Sequence, residues 1–378
     1  MEKIKNEHIA WIDLLRIIAC LFVLISHSCD PFVAQGSGNY PAFLSGAFWG
    51  SFVRPCVPLF VMMTGVLLLP IKMDMATFYN RRIKRIVIPL VFWSIVLPIL
   101  FYIYLNFGGT TTNLNIVKED HTLAATLRKL YTFIFNFNYD VVPLWYLYML
   151  IGLYLIMPIM NAWLVQASQK DLQRFLWIWG ISLFLPYIKM AAPLLGYTGN
   201  YGNMGLLGIC DWNPNGTFYY VSGFIGYLVL AYYLVKFPLT WSLKKALSIA
   251  VPLFIIGYAI TSLGFILTQK YFPTQPANLE IIWYFTGINV FMMTFAVFVI
   301  VQKIKINISP LLSRIASLTF GIYLCHFFFL QVSFDLIYEN IGFPDYLKIP
   351  LLALMTGVIT FPIVWALSRF RLTRKVIM

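Results

Sequence analysis

AWIDLLRIIACLFVLISHSC, residues 10–29, is twenty residues of mostly apolar side chains broken by one Asp, one Arg and one His. As a helix it would rise about 30 Å, the depth of a bilayer's hydrocarbon core. A helix satisfies its own backbone hydrogen bonds, so lipid tolerates it. Nine further apolar stretches of similar length follow, at 45–69, 86–106, 143–164, 174–190, 217–236, 247–268, 281–302, 315–338 and 349–368. Pro186 and Lys189 mark the fifth of the ten as the weakest and point to a short helix there. The pattern predicts an all-α, polytopic membrane bundle of about ten transmembrane helices. A single domain over 1–378, with no soluble accessory domain, is expected.

Composition agrees. Sixty per cent of the 378 residues are hydrophobic and 11% are charged, where soluble domains carry about 25% charged residues. A soluble chain this apolar would expose patches that aggregate. The 33 Phe, 23 Tyr and 11 Trp fit a membrane protein, since Tyr and Trp gather at its two interfaces.

The net charge of +13 is not a nucleic-acid signal, because of where the cations lie. With ten spans, 19 Lys and Arg fall on one side, including Lys3, Lys5 and the tail from Arg369, and 6 on the other. Arg16 and Arg54 lie inside spans. The positive-inside rule then puts both termini in the cytoplasm. The five Cys show no CxxC spacing and the four His no HExxH, so neither a disulfide framework nor a metal site is expected. Asp13 and Arg16 interrupt the first span, and no small-residue cleavage site follows it, so it reads as a helix rather than a leader. The longest outer loops are 107–142 and 191–216. The second, with GYTGNYGNMG and CDWNPNGTFYY, has the aromatic and amide groups that bind sugars, and equally the turn residues of any interfacial loop.

Charge inside a membrane span is costly and marks function. Arg16 and His27 are eleven residues apart, which returns to within about 20° of one helix face and separates them by about 16 Å. Asp13, Arg16, Cys20, Val23 and His27 form one stripe at i+3/i+4 steps. Taken singly, Arg16 would pair with Asp13 or snorkel, and His27 would be a hydrogen-bonded helix-end histidine. Together on one face they point to a site. The run NRRIKRIVIP (80–89) opens the third span with Arg81, Arg82, Lys84 and Arg85. Arg82 and Arg85 share a face, and guanidinium groups grip phosphate bidentately. The competing role is stop-transfer charge at lipid head groups. In the ninth span, SLTFGIYLCHFF places Tyr323 and His326 three apart, after Ser317 and Gly321. Trp145 and Tyr146 stand at an outer helix entry, as an aromatic belt would also place them.

These residues resemble the membrane-bound acyltransferases of family 3, polytopic enzymes that O-acylate envelope glycans. The resemblance covers nearly the whole chain. Asp13 with Arg16, and Arg16 with His27, match the family's Asp-x-x-Arg start and Arg-x10-His motif. Thr64-Gly65 stands where the family has Ser-Gly, and Arg82 and Arg85 match its Arg-x-x-Arg pair. Leu144-Trp145-Tyr146 matches a Leu-Trp-aromatic segment, with Pro143 where members often carry His. Ser317, Gly321, Tyr323 and His326 match a Ser-x-x-x-Gly-x-Tyr-x-x-His segment.

The resemblance implies a multi-pass protein of the bacterial cytoplasmic (inner) membrane. Its donor would be cytoplasmic acyl-CoA, foremost acetyl-CoA, and its acceptor a hydroxyl of an extracytoplasmic glycan. On that expectation Arg82 and Arg85, with Arg81 and Lys84 nearby, hold the donor's phosphates, and its arm passes Arg16. His27 acts as general base or as an acylated nucleophile. His326 and Tyr323 orient the acceptor or stabilise the oxyanion, and Asp13, Trp145 and Ser317 orient the site. Membrane lipid is the other partner, and no metal or nucleic acid is involved. The rival from another class is a polytopic transporter or glycan flippase, which would show two related halves; no such symmetry is visible.

Overall fold

The computed structural model describes residues 10–36, 38–133, 135, 137–192, 196, 215–272, 276–307 and 309–377. Lys3, Lys5 and the Gly- and Asn-rich segment 197–214 lie outside the described residues. Among the described residues all regular structure is helical. The helices are α1 (Ala10–Val33), α2 (Tyr40–Phe52), α3 (Cys56–Leu68), α4 (Met75–Ile103) and α5 (Leu123–Thr132). They continue with α6 (Trp145–Gln166), α7 (Gln169–Ser182), α8 (Leu185–Ala191), α9 (Ile225–Lys236) and α10 (Leu243–Tyr271). The last are α11 (Pro276–Ile282), α12 (Ile288–Lys303), α13 (Pro310–Ile337), α14 (Asp345–Leu367) and α15 (Arg371–Arg374).

Seven helical segments among the described residues are long and apolar enough to cross a membrane: Ala10–Val33, Tyr40–Leu68, Met75–Gly108, Tyr139–Gln166, Leu243–Tyr271, Pro310–Ile337 and Asp345–Leu367. They correspond to seven of the ten expected stretches. The other three are helical but shorter or broken. α9 is 12 residues, because the chain turns at Gly223 (φ 77°) before it. α12 is 16 residues, beginning after a turn at 283–287. The fifth stretch divides into α7 and α8 at Leu183–Phe184, just ahead of Pro186. A proline fits the first turn of a helix and not its middle. The same rule breaks Tyr40–Leu68 into α2 and α3 at Val53–Pro55.

The chain divides into two compact units. One comprises Met1–Gly50, Ile83–Tyr148 and Phe298–Met378, the other Ser51–Arg82 and Met149–Val297. In the first, α1, α13 and α14 pack mutually. Small residues set their spacing. A Cβ on Gly321 of α13 would lie 2.5 Å from Val364 Cγ1 and 3.1 Å from the Ile377 carbonyl oxygen. One on Gly46 of α2 would lie 2.8 Å from Val33 Cγ2, at the end of α1. α1 itself closes with Gly36 at φ 51°, whose N–H donates to the Val33 carbonyl at 3.1 Å, the left-handed cap that glycine supplies.

In the second unit, α3 packs on α9. Gly65 allows this, since a Cβ there would stand 2.9 Å from the Leu228 carbonyl oxygen. Arg54, in the break between α2 and α3, lies 4.3 Å from the Trp283 ring centroid and 5.0 Å from that of Phe285. Trp283 in turn stacks on Phe265 at 3.8 Å. Arg54 thus carries its charge against aromatic faces. Outside the spans, Asp74 precedes α4 and accepts from the Thr77 N–H at 2.9 Å. The Thr77 side chain and amide hold its carboxyl below the usual carboxylate range.

Candidate active site

The stripe expected on α1 turns inward within the first unit. Asp13, Cys20 and Val23 are buried, and Arg16 and His27 are half-buried. The Cys20 thiol lies 3.7 Å from the Thr319 carbonyl oxygen, which fixes the contact of α1 with α13. Arg16 Nη1 donates to Asp13 Oδ1 at 3.3 Å, the pairing that a charge in a span requires.

Two turns further along α13 comes the central contact. His326 is fully buried, and its ring centroid stands 5.3 Å from that of His27, with 41° between the planes. Phe327 closes the edge of His27 at 5.3 Å. Each imidazole is oriented by a different partner. His326 Nδ1 donates to the Tyr323 carbonyl at 2.6 Å. A carbonyl can only accept, so Nε2 of neutral His326 is an acceptor, and it is buried without a hydrogen-bond partner. An orphaned buried acceptor costs about 1–3 kcal/mol until a donor reaches it.

His27 Nδ1 lies 2.9 Å from Asp30 Oδ2. With Nδ1–H given to the carboxylate, Nε2 keeps its lone pair, the arrangement of a base held by an acid. Sequence reasoning missed Asp30. The signal was present, because Asp30 follows His27 by three residues and i, i+3 side chains meet on a helix. It lies beyond the Arg-x10-His spacing and at the end of α1, where a polar residue is unremarkable.

Tyr323 enters through its main chain as well as its ring. Its hydroxyl donates to the Pro143 carbonyl, so the residue that replaces a histidine in the family pattern receives it. Tyr146 meets the Tyr323 ring edge-on at 5.8 Å. Trp145 begins α6 beside Tyr146, half-buried, at 6.4 Å between centroids. Ser317 is exposed, and its hydroxyl donates to its own helix at the Arg314 carbonyl, 2.7 Å away. It does not join the histidine pair.

The basic run lies in the N-terminal half of α4. Arg81, Lys84 and Arg85 are exposed; Arg82 is half-buried, with a buried Nε that lacks a partner. Within the first unit Arg85 lies close enough to Arg16 for the two like charges to interact. Asp13 is the larger influence on Arg16 and offsets that repulsion. Among the described residues no three His, Cys, Asp or Glu side chains gather as a metal site requires.

A family model described as an acyltransferase domain, that of acyltransferase family 3, matches residues 9–369. The chain belongs to this family. Neither a curated protein nor a solved structure matches it. As a family 3 member with seven apolar helices of spanning length, it is a multi-pass membrane acyltransferase. The histidine pair, where α1 meets α13, brings a half-buried imidazole oriented by Asp30 against a buried imidazole with an unfilled acceptor atom.

Proposed function

We propose that this acyltransferase moves an acetyl or similar short acyl group from cytoplasmic acyl-CoA to a hydroxyl of an extracytoplasmic glycan. The observation that carries the reading is the approach of His27 to His326, each with one ring nitrogen already committed. His27 Nε2 takes the proton of the acceptor hydroxyl. The oxygen attacks the thioester carbonyl carbon, and the tetrahedral adduct collapses as the carbon–sulfur bond breaks. The thiol leaves with the proton returned by His27. His326 Nε2 accepts from a hydroxyl of the acceptor and orients it. Tyr323 is a positioning residue, since its carbonyl holds His326 and its own hydroxyl is committed to Pro143.

On the donor side, Arg85 would hold a phosphate of the donor and Arg16, oriented by Asp13, would line the path of its arm. Arg82 lies one turn before Arg85 on α4 and extends the same face, with Arg81 and Lys84 beside it. The arm of the donor then runs along α1, about 16 Å from Arg16 to His27. This route fits ten crossings with both termini in the cytoplasm, three of them made by the shorter helices α9 and α12 and the α7–α8 pair. It also fits residence in a bacterial inner membrane. The acceptor class rests on family resemblance, nearest to the O-acetyltransferase of enterobacterial common antigen.

The test is incorporation of label from acetyl-CoA into envelope glycan by the purified protein, with thiol release measured in parallel. Coupled label transfer and thiol release are expected. Glycan movement without thiol release would instead make the protein a carrier.

A further inference from the structure

A recess lies near the histidine pair, in the same unit. It is a cavity of about 600 Å³ between α5 and the segment 137–139, within the ~300–1,000 Å³ range of small-ligand sites. The sequence of α5 builds it. Leu123, Leu127 and Tyr131, four residues apart, are exposed on one face. Ala124, Ala125 and Arg128 line the cavity on another, and the two alanines leave the space open.

The chemistry of the wall is that of a neutral, polyhydroxylated ligand. Asp140 is fully buried, with His121 Nε2 at 2.8 Å from one oxygen and Lys129 Nζ at 2.7 Å from the other. The charge of Lys129 is therefore held by Asp140 and not offered to the cavity. Arg128 faces the cavity together with Asp120, of opposite sign. Amides at Asn115 and Asn138 and the aromatic rings of Phe137 and Tyr139 complete the lining. Planar donors and acceptors around an aromatic wall match hydroxyls on one side and sugar C–H faces on the other.

The position is informative too. The Tyr139 ring lines the cavity and packs on Phe327 at 5.1 Å, and Phe327 packs on His27 at 5.3 Å. Two aromatic rings in series, Tyr139 and Phe327, separate the recess from the proposed base.

We propose that this recess binds a neutral sugar residue of the acceptor chain, adjoining the sugar that is acylated. The proposal rests on the acyl-transfer role of the histidine pair and adds a second acceptor subsite to it. Arg128→Ala removes a guanidinium that makes no ion pair among the described residues, and Ala124→Trp fills the recess without removing a bond. In cells carrying each variant, mass spectrometry gives the O-acetyl content of the envelope glycans. Thiol release from acetyl-CoA by the purified variants, with water as acceptor, reports the donor half alone. The expected result is glycan O-acetylation at least ten-fold lower, with thiol release within two-fold of wild type. Normal O-acetylation in both variants would overturn the proposal. An equal fall in both readouts would overturn it as well, by making the recess merely structural. A wild-type protein that releases no thiol even with glycan present would fail at the acyl-transfer role itself, which separates the two failures.

Discussion

His27 of α1 and His326 of α13, drawn from opposite ends of the chain, stand 5.3 Å apart between ring centroids. Neither is held by the other. His27 leans on Asp30 and His326 on the Tyr323 carbonyl, which leaves both Nε2 atoms for a third party.

Asp30 should matter through His27. Asp30→Asn keeps the size but offers an amide that can present its N–H to the ring and select the wrong tautomer. We expect kcat to fall about 10²–10³-fold, in the span of general-base catalysis, with the KM for acyl-CoA within two-fold. Asp30→Glu should recover part of the rate. Steady-state kinetics on the purified variants read both; an Asn variant with wild-type kcat would remove Asp30 from the site.

His326 should be needed for the acceptor rather than the donor. His326→Phe keeps a ring in the buried position and removes the acceptor atom at Nε2. Transfer to glycan is expected to drop at least 100-fold while acetyl-CoA binding, followed by isothermal titration, stays unchanged. Retained transfer would make His326 a packing residue.

Much of this was legible in the sequence, and the reason is local. The Arg16–His27 stripe follows from helix period alone, and its inward turn follows from the cost of charge in lipid. The apolar stretches found their helices because period and length need no partner. The pairing of His27 with His326 was not legible. Both histidines stood out, but their approach depends on how α1 and α13 pack, and that is set by distant small residues such as Gly321. The break at 53–55 carried a local signal in Arg54 and Pro55, whereas the turn at 283–287 did not. An aromatic composition persists into 283–287, and Arg54 with Trp283 stabilises irregular backbone by contacts that sequence spacing does not reveal.

Gly321 can be tested for that role. Its Cβ position meets Val364 and the Ile377 carbonyl, so Gly321→Leu should force α13 from α14 at a cost of about 2 kcal/mol. A lowered midpoint in detergent thermal unfolding is expected. An unchanged midpoint would show that the helices part freely.

Asp140 is the keystone of the wall around α5. Asp140→Ala leaves Lys129 and His121 without their shared carboxylate. Breaking a buried pair on one side costs about 3 kcal/mol. Proteolysis within 115–139 should accelerate in this variant, while the Arg85→Ala variant should not show that change. Arg85→Ala should instead raise the apparent KM for acetyl-CoA about ten-fold, with kcat nearly constant. An unchanged KM would place the donor elsewhere.

The central claim is that His27 performs the acyl transfer. The most direct measurement compares His27→Ala with wild type for transfer of labelled acetyl from acetyl-CoA to envelope glycan, both proteins purified and eluting alike. A loss of about 10²–10⁴-fold is predicted; transfer at the wild-type rate would contradict the account.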